Sequence, residues 1–124
     1  MTSKEIIEKY PKVFGTPPYD PMKSLMCFGF DCGEGWYPII EDLAEKINEI
    51  VERDNLEDFC VVQVKEKFGS LTIYCRAETD EIHSLINEAE RKSISTCEIC
   101  GAPGSMITKG WISVLCDDCR SRLN

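Results

Sequence analysis

Eight cysteines lie in a chain of 124 residues, and four of them stand in two identical pairs. Cys97-x2-Cys100 is followed, fifteen residues on, by Cys116-x2-Cys119. A CxxC turn brings two thiolates to one ion, and two such turns complete a tetrahedron. Four thiolates at this spacing predict zinc. They also close the coordination sphere, so no position remains for a water to be activated. The expectation is one structural Zn²⁺ whose binding is coupled to folding of the tail.

Cys27, Cys32, Cys60 and Cys75 do not repeat that spacing, and whether they form a second site is open. Cys60 and Cys75 fall on the apolar parity of a predicted hairpin, as small core residues. Cys27 and Cys32 flank "FGFD", which is not a common ligand turn. Cys32 lies just ahead of the longest predicted helix, where a thiolate is favoured, although Glu34 opposes it.

Other chemistry is sparse. The single histidine, His83, falls on a helix beside no nucleophile signature. "GEG" before a helix lacks the third glycine and the lysine of a phosphate loop, and Glu34, Glu41 and Asp42 would repel an anion. No catalytic set emerges, and the chain reads as non-enzymatic.

The elements that must position the cysteines follow from periodicity and punctuation. Ser3 is placed to cap a short helix ending at Pro11. "GTPPYDP" is a loop, "KSLMCFGF" a short strand and "DCGEG" a turn. The strongest helix covers 37–53, with Pro38 in its first turn and Ile39, Ile40, Leu43, Ile47, Ile50 and Val51 on one face. "FCVVQVKEKFGSLTIYCRA" reads as a hairpin turning at Phe68-Gly69. By parity, Cys60, Val62 and Val64 share a face with Leu71, Ile73 and Cys75. Val61, Gln63, Lys65, Thr72, Tyr74 and Arg76 share the other. A second helix covers 80–92. The tail reads as a knuckle, a hairpin turning at Lys109-Gly110 and a short helix carrying Cys119. The fold class is therefore α+β: an antiparallel hairpin packed with two main helices over 1–94, and a four-cysteine zinc-ribbon or treble-clef subdomain over 95–124.

The chain is acidic, with a net charge of −8. Four thiolates and one Zn²⁺ would take it to about −10. Such a chain is poorly suited to nonspecific binding of nucleic acid or an anionic membrane. No apolar run is long enough to span a bilayer, and "MTSKEIIEKYPKVFG" lacks a signal-peptide core. A cytoplasmic protein is expected.

The charge is uneven. Residues 1–59 carry 6 basic and 13 acidic side chains, residues 60–77 carry 3 and 1, and residues 78–124 carry 5 and 8. The hairpin is the positive segment. Lys65, Lys67, Tyr74 and Arg76 on it, with Trp36 and Tyr37 at the helix start, are candidates for holding a phosphorylated base by charge and stacking. Glu41, Glu45 and Glu49 offer an acidic helix face to a basic partner. Trp111 and the hairpin edge are candidates for a homodimer contact.

Three stretches taken together, "CGEGWYPII", "VVQVKEKFGSLTIYC" and "CEICGAPG…GW…LCDDC", resemble a group of small zinc-binding proteins found mainly in phages and prophages. The resemblance covers about residues 28–119. It implies no reaction. It implies an accessory phage protein in the host cytoplasm that binds and inhibits a host protein, such as one of defence. A small-molecule binder sequestering a nucleotide-type signal is the alternative, and a nucleic-acid-binding zinc protein is a third reading.

Overall fold

The computed structural model of the chain describes residues 1–123. Its architecture is α+β, with two small antiparallel sheets. Helix α1 (Ser3–Lys9) is capped by Thr2 rather than Ser3: the Glu5 N–H donates to Thr2 Oγ1 and the Thr2 N–H to Glu5 Oε1, each at 3.1 Å. This capping box satisfies two otherwise orphaned donors. Pro11 then begins α2 (Pro11–Phe14), which carries Val13 and Phe14 into the core.

The segment expected to be a strand is not one. Met26–Phe28 forms a 3-10 turn, and its surroundings are irregular. A second 3-10 turn, Glu34–Trp36, leads directly into α3 (Tyr37–Asp54). Helix α3 buries Ile40, Leu43, Ala44, Ile47, Ile50 and Val51, as its periodicity predicts, and stops at Asn55 in the left-handed conformation.

Strands β1 (Cys60–Lys67) and β2 (Ser70–Arg76) pair antiparallel around Phe68 and Gly69, at φ 52° and 85°. Both turn residues have positive φ, which matches the right-handed twist of a tight hairpin. The expected facing is corrected in one respect. The register shifts between Val61 and Gln63. The bulge puts Val61 in the core with Val64, Leu71 and Ile73, and leaves Val62 half-buried. Cys75 packs against that core, whereas Cys60 lies against Gly15.

Both outer edges of this hairpin are occupied. On the β1 side the Leu25 and Asp31 N–H groups donate to the Val62 and Val64 carbonyls at 2.7 and 2.8 Å. On the β2 side α4 (Asp80–Ser93) supplies side chains. The Leu71 N–H donates to Ser93 Oγ at 2.9 Å and the Ile73 N–H to Glu90 Oε2 at 3.1 Å. These contacts cover part of each edge that a second strand would need.

Burial holds the Glu90 carboxyl above its ordinary range, against the Ile73 N–H and His83, which pull it down. A carboxyl that binds its proton more tightly folded than unfolded favours the fold at low pH, and that contribution is lost as pH rises through the folded value. Glu90→Gln keeps an acceptor for Ile73 and removes the buried charge. Chemical denaturation should find variant and parent alike at acid pH, with the variant gaining as pH rises to neutrality. A parallel pH profile would refute this.

The chain ends with β3 (Ser105–Ile107), β4 (Ser113–Leu115) and α5 (Asp117–Leu123). This hairpin and helix are joined to the rest by packing: Val114, fully buried, belongs to the main core.

Candidate metal centre

Cys97 and Cys100 come from a knuckle whose Gly101 has φ 83°, and the Gly101 N–H donates to the Cys97 carbonyl at 2.9 Å. Only a residue indifferent to positive φ closes that turn without strain. Cys116 precedes α5 and Cys119 lies in its first turn, with the Cys119 N–H 3.4 Å from Cys116 Sγ. All four sulfurs lie within 4.8 Å of one another.

The donor set fits a tetrahedral metal. Metal–sulfur bonds of about 2.3 Å require sulfurs about 3.8 Å apart. Cys100 Sγ and Cys116 Sγ are 3.6 Å apart. A disulfide would need about 2.05 Å, and all eight cysteines are free. Burial opposes a charge on Cys97, yet N–H groups of Cys100, Cys116 and Ile99 outweigh it and bring the thiol down to about 6. That direction favours a thiolate at Cys97, whereas the neighbouring thiols Cys100 and Cys119 are pushed up. Among the described residues no second metal-ligating cluster occurs, so Cys27, Cys32, Cys60 and Cys75 do not assemble one. The surroundings of Cys32 oppose a reactive thiolate. Burial, then Glu98, Asp31 and Glu66, push it up to about 12.

The centre is bracketed to the core by the glycine turn before α3. The Gly35 N–H donates to the Glu98 carbonyl at 2.8 Å, and the Gly33 N–H to Glu98 Oε2 at 2.9 Å. Trp36, expected as a ligand-binding aromatic, is instead fully buried, and its Nε1–H donates to the Thr96 carbonyl at 2.8 Å. Tyr37 is half-buried and meets the Phe30 ring edge-on, with centroids 5.5 Å apart. Trp36→Phe keeps most of the packing and strands that carbonyl. A loss of about 1–3 kcal/mol is expected, read as a lower denaturant midpoint; an unchanged midpoint would remove the bracket from the account.

The remaining candidates are redistributed. Lys67 pairs with Ser70 at the hairpin tip, whereas Arg76 pairs with Cys60 at the far end. Six residue steps of strand separate Ser70 from Arg76, about 20 Å. Lys65, Lys67, Tyr74 and Arg76 therefore do not form one patch. On α3, Glu45 and Glu49 are exposed, but Glu41 is partly buried, with Lys9 Nζ 3.6 Å from its Oε2.

The sequence reading missed what the two hairpin tips build together. Ile112 and Met106 lie directly over Gly69, leaving no room for a side chain there. Lys65, Glu66, Lys67, Phe68, Trp111 and Ile112 line a groove of about 430 Å³ between the tips. Phe68 is 72% exposed and Trp111 83%. The available signal was an aromatic beside each turn glycine, Phe68-Gly69 and Gly110-Trp111, where side chains point away from any core. His83 is exposed, with Nδ1 3.0 Å from Glu78 Oε1, and shares no cluster with a nucleophile. No described helix is long and apolar enough to cross a membrane. No known family, curated protein or solved structure matches this chain.

Proposed function

We propose that this chain is a non-enzymatic binding protein braced by one zinc ion, and a phage accessory protein that acts in the host cytoplasm by capturing a host component. Four sulfurs in a closed tetrahedral set suit Zn²⁺ and leave no open position for chemistry. Knuckle, hairpin and helix follow one another in treble-clef order. The zinc is the clasp, and the groove between the hairpin tips is the working surface.

The observation that carries this reading is the pair Phe68 and Trp111. Two large aromatics stand out in solvent on two turns that pack against each other. Aromatic side chains are enriched at the cores of binding surfaces, and tryptophan is among those that most often dominate binding. Inhibition of a host protein through the acidic face of α3 is the rival reading. Glu45 and Glu49 support it, while Glu41 is answered by Lys9 and Glu52 by Lys12. Duplex nucleic acid is disfavoured by the net charge of −8.

Two variants separate the surfaces. Trp111→Ala should abolish capture of the host component and leave the metal in place. Glu45→Lys with Glu49→Lys should change little. The reverse pattern would transfer the function to α3.

A further inference from the structure

We infer that the groove between the hairpin tips takes a small nucleotide, its base stacked on Trp111 and Phe68 and its phosphates met by Lys65 and Lys67. This rests on the groove being the working surface. Its size falls within the range of small-ligand sites, about 300–1,000 Å³. Its walls combine aromatic faces with ammonium groups, and a nucleotide is the common small solute that carries both a flat π-system and phosphate charge.

Charge decides between occupants. The protein is −8 overall, yet the groove's lining carries two cations, Lys65 and Lys67, and one anion. That anion, Glu66, is held at the turn, where its Oε2 accepts from the Gly69 N–H at 2.7 Å, and the two lysines outnumber it. Lys109 adds an exposed cation two residues before Trp111. A local positive site on an acidic body admits a compact anion and repels a long polyanion. The larger hollow, about 530 Å³ beside Tyr19 and Phe28, presents Lys4 and Glu8 together, and so has no such preference.

The two tryptophans make the test direct. Trp36 is fully buried and Trp111 is 83% exposed, so quenching by an added base reports on Trp111. The metal-loaded protein is titrated with AMP, ATP, adenosine and inorganic triphosphate, followed by fluorescence and calorimetry. Saturable quenching by the nucleotides is expected, with adenosine and inorganic triphosphate each weaker than ATP. Lys65→Ala and Lys67→Ala should each weaken ATP by about ten-fold, while Tyr74→Ala, back along the strand, should not.

Absence of saturable binding by any nucleotide at millimolar concentration would overturn the inference. So would binding indifferent to Lys65 and Lys67, or affinity that climbs steadily with oligonucleotide length. If no nucleotide binds but a host protein is captured through Trp111, the ligand class is wrong and the groove survives as the surface. If Trp111→Ala and Phe68→Ala alter neither assay, the groove itself is wrong.

Discussion

Cys97→Ser should cost the protein its metal and the ordered structure of its tail together. Structural zinc sites contribute on the order of 10 kcal/mol, against a typical domain stability of about 5–15 kcal/mol. The tail has little else to stand on: among the described residues, its own cluster holds Leu115 and Ile107 besides the cysteines. The loss should also reach the main core, because Val114 is part of it and the Trp36 indole donates to Thr96. The expected record is zero metal by mass, a red-shifted Trp36 and a groove no longer formed. Chelation should reproduce it. Acid should act in the same direction, since protons compete with metal for the same sulfurs and the sites empty as pH falls. Cys27→Ser, exposed and outside the cluster, is the control and should retain full metal content. A Cys97→Ser protein that kept its tail would show that the metal is not the clasp.

Gly35→Ala should be nearly as damaging without touching a ligand. A Cβ there would overlap the Cys97 carbonyl oxygen and lie 2.6 Å from the Glu98 carbonyl carbon. Those neighbours are backbone, and backbone pinned in a tight knuckle cannot turn aside as a flexible side chain can. The knuckle must lift, straining the Gly35–Glu98 and Trp36–Thr96 hydrogen bonds. Overpacking with two lost bonds amounts to about 3–5 kcal/mol. Gly35 does not have positive φ, so the effect is steric. Gly110→Ala is the contrast: it meets nothing within 4 Å but has φ 81°, so its cost should be the conformational one, about 1 kcal/mol. Equal midpoints for the two variants in chemical denaturation would refute the bracket.

The four-cysteine cluster was legible because spacing alone specifies it. So were α3 and α4, whose apolar residues recur at helical intervals, and both hairpin turns, each marked by a glycine. The hairpin's facing was not. Cys60, Val61 and Val62 are all apolar, so parity carries no signal there, and the bulge decided which one enters the core. Trp36 misled for a different reason. Beside two glycines it resembles a binding loop, and only the knuckle folding back over Gly33 and Gly35 makes it a buried bracket. The Lys65–Arg76 patch failed on distance, since residues sharing a strand face can still lie at opposite ends of it. The groove could not be read because its halves lie some forty residues apart in the chain, and the four-cysteine module brings them together.

The central claim is that one zinc ion holds this protein's tail in place and performs no chemistry. Its most direct test is the native mass of the purified protein set against its denatured mass, with the metal identified by elemental analysis. The account predicts one zinc per chain, lost on unfolding. No metal at all, or two ions per chain, would contradict it.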